Sequence, residues 1–312
     1  MSSSAPPQSA HDLAPSPPTA AHDDVCGHGE EDVVVIPADD DVGKVAGSKG
    51  IIAVDMDDVL CNTNGTIVEM HADLFPGRAT PPITLDEFHH YLYWHNRGWG
   101  GKEDTVDMVG QLYRAGLMER PTPIPGATAG LQALKDLGYT LIIITARSEV
   151  QREGTEQWIA DHLPDLFDEI HFTGAFNHLI PATKAEHEGH AAHRTVVSHK
   201  KRSKHEVMKQ TGAKLLIDDS SENALAAAAA DPPERVLLFG GWPWNVAIVP
   251  PDGEGASHPD DKKLYVELAT EKGGLAAAAE RRAARIKRGW LPKGVERVAD
   301  WNDVVEWVKK YY

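Results

Sequence analysis

The sequence predicts an α/β fold, a doubly wound parallel sheet with a small helical insert after its first strand. Three observations predict it. Short all-apolar runs stop abruptly at polar residues, as Ile51–Val54 does before Asp55 and Thr140–Ile144 before Thr145, which suits strands buried on both faces. Helical patterns lie between successive runs, so the strands run parallel. The stretch from Pro76 to Pro125 interrupts this alternation with helical rather than strand signals.

Residues 1–49 are rich in Ser, Pro, Ala and Asp and poor in large apolar residues. Such a segment buries too little surface to offset its chain entropy and reads as a disordered acidic tail. Val33–Ile36 is its one apolar run; a local patch is the preferred reading, a short added strand the other. Residues 50–312 form the folded domain. After the first strand, Cys61–Thr66 is turn chemistry and Glu69–Leu74 suits a helix. Within the insert, spanning residues 67–124, Thr84 and Glu87 have capping-box spacing, and Val106–Ala115 reads as a second helix. Phe88, Tyr91, Tyr93, Trp94 and Trp99 cluster there, more readily as the insert's own core than as a platform for a substrate ring.

Ala127–Leu137 is helical and stops at Gly138. The second strand, Thr140–Ile144, leads into Thr145-Ala146-Arg147, then a helix over Glu149–His162 and a third strand over Glu169–Phe172. Ala175–Lys200 is read as a solvated polar insert. Its His187, His190 and His193 have helical spacing, but no Cys or well-placed carboxylate completes a metal set. Lys204–Gln210 is helical, Lys214–Ile217 the fourth strand, Asn223–Ala230 an Ala-rich helix and Arg235–Phe239 the fifth strand. Pro250–Lys262 is a loop, Leu264–Lys287 mostly helical, Val298 a short last strand, and Trp301–Tyr312 a closing helix. No Gly-x-Gly-x-x-Gly follows the first strand and no Gly-Lys-Ser/Thr loop occurs, which disfavours dinucleotide oxidoreductases and P-loop NTPases.

Bulk properties narrow the function. The 312 residues carry a formal charge of −16, which argues against partners such as nucleic-acid polymers or anionic membranes. A phosphorylated substrate would therefore need a locally positive pocket. Of the two cysteines, Cys26 and Cys61, the first lies in the expected tail, which argues against a structural disulfide and fits a reducing compartment. With no membrane-length apolar run and no secretory or mitochondrial leader, the expected location is the cytoplasm, with the nucleus left open.

Asp55 and Asp57 lie two apart at the carboxyl end of the first strand, where open α/β sheets bind ligands. Crowded acids there repel one another unless a cation or proton joins them, so the simplest inference is a Mg²⁺ site. Thr145, Lys204 and the pair Asp218 and Asp219 follow in order, each beside an apolar strand or helix. Strand-Asp-x-Asp-x-Val-Leu together with these later residues resembles the haloacid dehalogenase-like (HAD) phosphohydrolases over roughly Lys49–Phe239. The resemblance implies a Rossmann-like sheet whose insert is a small cap over the active site. It implies catalysis by Asp55 as nucleophile on phosphorus, forming an aspartyl-phosphate, and by Asp57 as general acid and base. Mg²⁺ would be held by Asp55, Asp57 through its carbonyl, and Asp218 or Asp219. Thr145, Ala146, Arg147 and Lys204 would bind the phosphoryl group, with Lys204 adding positive charge. Lys200 and Lys201 compete with Lys204 for its role. Arg147 is read with equal weight as a phosphate ligand or as the partner of an acid.

In this family an Asp at the Asp57 position marks phosphatases, so phosphomonoester hydrolysis is expected. The segment from Thr145 to Gly174 is similar to cytosolic 5′(3′)-deoxyribonucleotidases, and the stretch from Ile51 to Trp244 is closer to uncharacterised fungal HAD-like proteins. The substrate class implied is a nucleoside monophosphate or another small phosphorylated metabolite. A catalytically idle binding or regulatory protein on the same fold is the alternative, suggested by the acidic tail and the His-rich segment; fold does not fix function.

Overall fold

The computed structural model describes residues 33–36, 47–174, 194–198 and 202–312. Strands β1 (Val33–Ile36), β2 (Ile51–Val54), β3 (Thr140–Thr145), β4 (Glu169–Phe172), β5 (Arg194–Ser198), β6 (Leu215–Asp218), β7 (Arg235–Phe239) and β8 (Val295–Val298) form one sheet in the order β1-β5-β4-β3-β2-β6-β7-β8. From β5 to β8 every neighbouring pair is parallel, and β1 closes the β5 edge antiparallel. Helices α1 (Thr63–Leu74) and α2 (Lys102–Arg114) lie between β2 and β3. Then come α3 (Ala127–Asp136), α4 (Arg152–His162), α5 (Lys204–Thr211), α6 (Ser221–Ala229), α7 (Tyr265–Thr270), α8 (Gly274–Arg288) and α9 (Trp301–Tyr311).

Period-2 alternation splits β2, β3, β6 and β7 between two cores. Val54, Ile143, Ile217 and Leu237 pack with Leu131 of α3, Trp158 of α4, and Trp301 and Val304 of α9. Ala53, Ile142, Leu216 and Leu238 pack the other face with Val207 of α5 and Ala224 of α6. Both faces of the central strands are buried, which is why they read as unbroken apolar runs.

The connection from β2 to β3 has a core of its own. Phe88, Trp99, Met108 and Leu112 are almost wholly buried, with Ile67 and Met70 of α1 and with Trp244 from the chain after β7. Phe88 and Trp99 of the aromatic cluster are thus core, while Tyr91, Tyr93 and Trp94 stay half-buried. The Thr84–Glu87 capping contact forms, with Thr84 N donating to Glu87 Oε2 at 2.9 Å. Only one 3-10 turn follows, Leu85–Glu87, because Phe88 leaves helical geometry at φ −82°, ψ 72° as its ring enters the core.

Several local expectations are corrected. Val33–Ile36 is a strand rather than a loose apolar patch, in register with β5 from Val33 opposite Ser198 to Ile36 opposite Thr195. β5 itself lies in a stretch read as a polar insert. α1 starts at Thr63, inside the expected turn, because Asp58 caps it: Asp58 Oδ1 accepts from Asn64 N at 2.9 Å and Oδ2 from Asn64 Nδ2 at 2.7 Å. The long C-terminal helical pattern is two helices, α7 and α8, broken at Gly273, whose φ of +77° no helix interior adopts. Most of the expected tail, the His-rich segment with His187, His190 and His193, and Lys200 and Lys201 lie outside the described residues. Among the described residues no helix is long and apolar enough to cross a membrane, and Cys61 is a buried free thiol.

Candidate active site

Strand register assembles the site. β2 lies between β3 and β6, with Val54 opposite both Ile143 and Ile217. Asp55, Thr145 and Asp218 therefore end adjacent strands at one rim of the sheet, and Asp55 N donates to Ile217 O at 2.8 Å. Lys204 is the first residue of α5, which Ser203 caps by accepting from Glu206 N at 3.1 Å. α5 runs back to β6, so its first residue returns to the rim.

Lys204 Nζ is wedged between two carboxylates, 2.6 Å from Asp55 Oδ1 and 2.7 Å from Asp218 Oδ2. Carboxylate oxygens of Asp55, Asp218 and Asp219 lie within 4.8 Å of one another, all three residues buried. Burial pushes the Asp55 carboxyl up to about 7; Lys204 opposes this, while Asp218 and Asp57 reinforce it. Burial, then the nearby Asp55 and Asp58 charges, raises Asp219 well above the carboxylate range. Burial works against the Lys204 charge, but Asp218 and Asp55 outweigh it and hold the ammonium above its ordinary value. The cluster is short of positive charge with Lys204 alone. Its donors are all hard carboxylate oxygens, so the set fits a divalent cation such as Mg²⁺.

The two aspartates after β6 differ in their partners. Asp218 is saturated: besides Lys204, it accepts from Ser220 N at 2.8 Å and from Asn223 Nδ2 at 3.1 Å on each oxygen. The Asp219 carboxylate accepts from Trp244 Nε1 on Oδ2 at 2.6 Å, and its carbonyl from Asn245 Nδ2 at 2.8 Å.

Asp57 does not join this cluster through its carboxylate. Arg147 grips it with both arms of the guanidinium, Nη2 to Oδ1 at 2.6 Å and Nε to Oδ2 at 3.1 Å, and Thr63 Oγ1 donates to Oδ1 at 2.6 Å. Arg147 also donates to Thr155 Oγ1 at 2.9 Å. Burial would raise the Asp57 carboxyl, but Arg147 and Thr63 outweigh it and hold it below its ordinary value. Of the two roles open to Arg147, the structure thus displays the acid partner. Thr145 is fully buried; its Oγ1 accepts from Arg147 N at 3.2 Å and its carbonyl from Thr173.

A cavity of about 720 Å³ opens beside the cluster. Asp57, Asp58, Ala146, Arg147 and Asp219 line one end of it; residues of α1, α2 and the aromatic loop between them line the rest. Asp55, Thr145, Lys204 and Asp218 lie behind this lining.

The sequence reading missed Asn223, Trp244, Asp58 and Thr63. Asn223 and Trp244 each lie five residues past the end of one of two neighbouring strands, and that placement is the signal that could have found them.

Among solved structures, the chain is similar to L-2-haloacid dehalogenase from Xanthobacter autotrophicus at 13% identity and a TM-score of 0.45, covering 84% of this chain and 99% of that one. It is similar to a HAD family hydrolase from Deinococcus radiodurans R1 at 18% identity and a TM-score of 0.44, covering 83% and 94%. No curated protein matches the chain. The model of the haloacid dehalogenase-like hydrolases matches residues 50–231, more than half of the 312 residues, so the chain belongs to that family.

Proposed function

We propose that the protein is a Mg²⁺-dependent phosphomonoester hydrolase that works through an aspartyl-phosphate on Asp55, acting on a small phosphorylated metabolite. The observation that carries this reading is the buried Asp55 carboxylate, paired with Lys204 and within 4.8 Å of carboxylate oxygens of Asp218 and Asp219.

An Asp55 oxygen attacks phosphorus, and the bond from phosphorus to the alcohol oxygen breaks. Asp57 gives its proton to the departing oxygen, then takes one from the water that attacks the aspartyl-phosphate, restoring Asp55 and releasing phosphate. As the proton acceptor, Asp57 is ready as it stands, since Arg147 holds it ionised. As the donor, it must first loosen that grip and take up a proton from solvent; in later turnovers the proton it takes from the hydrolytic water serves. The incoming phosphate competes for the same guanidinium, so phosphate binding and release of Asp57 are one event, with Arg147 passing between its two partners. Lys204 favours the ionised form of Asp55 against its burial and offsets charge that builds up on the phosphoryl oxygens. Thr145 and the backbone of Ala146 orient that group.

Asp55, Asp219 and the Asp57 carbonyl would hold Mg²⁺, which supplies positive charge against the repulsion between a carboxylate nucleophile and an anionic ester. Asp219 is preferred over Asp218 because Lys204 and Asn223 already occupy both Asp218 oxygens.

The test is phosphate release from a panel of phosphomonoesters with and without Mg²⁺. Release that needs the cation supports the proposal; none from folded protein across the panel would sink it. Cation binding has a separate readout. Adding Mg²⁺ to cation-free protein should raise the thermal midpoint, by the equivalent of about 2.7 kcal/mol at a hundredfold excess over Kd. Asp219→Asn should remove most of that rise. A rise that survives the substitution would put the cation elsewhere.

A further inference from the structure

The cavity beside Asp57 and Asp219 is built for something other than phosphate. Its far walls are Val106, Val109 and Tyr113 of α2, facing Tyr91, Tyr93 and Trp94 of the loop before it. The polar groups around these walls are bound to one another. Tyr93 OH donates to Asn64 Oδ1 at 3.2 Å, and Asn64 Nδ2 to Asp58 Oδ2 at 2.7 Å. Thr105 Oγ1 donates to the Gly101 carbonyl at 2.8 Å. Gln151 Nε2 donates to Tyr113 OH at 2.7 Å, and its Oε1 accepts from Ser148 N at 2.8 Å. Thr63 is taken by Asp57. Away from the Asp57 end, the charged residues on the lining, Lys102, Glu103, Asp107 and Arg114, are exposed.

Resting on the phosphatase reading, we propose that the alcohol half of the substrate is an apolar body of aromatic-ring size, held between the α2 valines and the Tyr91–Trp94 loop, rather than a sugar or nucleoside. At about 720 Å³, the space is that of a whole small-molecule site, lined mainly by apolar groups as such sites are. A phosphoryl group at the Asp57 end would leave most of it to the rest of the ester. A sugar there would press several hydroxyls against walls that are mostly carbon, Ile67, Val106, Val109 and Leu117 among them, and each hydroxyl left unpaired costs about 1–3 kcal/mol. A phenyl or branched alkyl body loses nothing of the kind and stacks on the tyrosines and tryptophan.

The experiment compares kcat/KM on the full chain with Mg²⁺ for primary alkyl phosphates that differ only in body: phenethyl phosphate, ribose 5-phosphate and a deoxynucleoside 5′-monophosphate. Phenethyl phosphate should exceed both others by roughly tenfold or more. Val109→Asp, which puts a charge into the wall, should cut the ratio of phenethyl to ribose ester at least tenfold. Val106→Thr, nearly isosteric and so safe for folding, should cut the same ratio by roughly threefold. A sugar or nucleoside ester that matches or beats phenethyl phosphate, or ratios unmoved in both folded variants, would overturn this substrate class while the phosphatase reading stands. Absence of release from every ester would overturn both.

Discussion

Asp55→Asn should abolish phosphate release, lowering kcat/KM by about 10⁴-fold or more, and leave the protein folded. An amide cannot attack phosphorus, but its Oδ1 can still accept from Met56 N and Lys204 Nζ, as the carboxylate does at 2.7 and 2.6 Å. The variant should even gain stability near neutral pH when cations are removed. Burial lifts the Asp55 carboxyl from 3.8 to about 7 in the folded chain. A carboxyl raised in this way contributes fully below its unfolded value, and that contribution fades as pH rises through the folded one. Asn titrates nowhere. Urea midpoints of the two proteins should therefore coincide below pH 4 and diverge in favour of the variant up to about pH 7 and above. Residual activity above about one per cent of wild type would move the nucleophile off Asp55.

Lys204→Met should be the most destabilising single change at the site. It leaves Asp55, Asp218 and Asp219 buried together with no ammonium among them. Removing one partner of a buried ionic network costs about 3–5 kcal/mol, or roughly 10 °C in thermal midpoint for a domain of this size. The loss should be largest at neutral pH and shrink on acidification. Without Lys204 the folded Asp55 carboxyl rises further above its unfolded value, so the stability it withholds at pH 7 returns as it protonates. Activity should fall by about 10²–10³-fold. Lys204→Arg should not rescue it, because a planar fork cannot occupy a slot shaped for one nitrogen between two carboxylates. The double variant with Asp55→Asn separates the roles: it should recover part of the lost midpoint and none of the activity. A single variant as stable at pH 7 as the wild type would mean that the cluster does not need Lys204 for its charge balance.

The parts of this site that were legible in the sequence are those fixed by local rules. Asp55 and Asp218 stand where apolar runs stop, and a strand's end is written in the residues on either side of it. Lys204 was legible because one short helix returns it to the strand that bears Asp218. The grip of Arg147 on Asp57 joins residues 90 positions apart, and no periodicity marks it. The same holds for the indole of Trp244 on Asp219. β1 and β5 escaped for a related reason. Each is a short run in polar surroundings that is a strand because of what lies beside it, β5 for β1, and β1 with β4 for β5, and such pairing is set by tertiary context more than by propensity. The start of α1 was hidden because its cap, Asp58, lies five residues upstream in what reads as a third acid of the strand-end cluster. The aromatic loop divided in two, Phe88 and Trp99 inward and Tyr91, Tyr93 and Trp94 toward the cavity, a partition that composition does not encode.

The turn after β7 has one more consequence. Trp242 and Trp244 stack with their rings 5.3 Å apart and only 7° from parallel. One indole is tethered to the Asp219 carboxylate and the other to the Asp58 carbonyl at 3.0 Å. Two chromophores so close share their excitation, and a rigid shared exciton gives a far-ultraviolet circular dichroism couplet that isolated indoles lack. Because both tethers end on the acidic cluster, any event that draws the Asp219 carboxylate aside also disturbs the geometry of the dimer. The site therefore carries its own optical gauge, readable without a substrate and without a label.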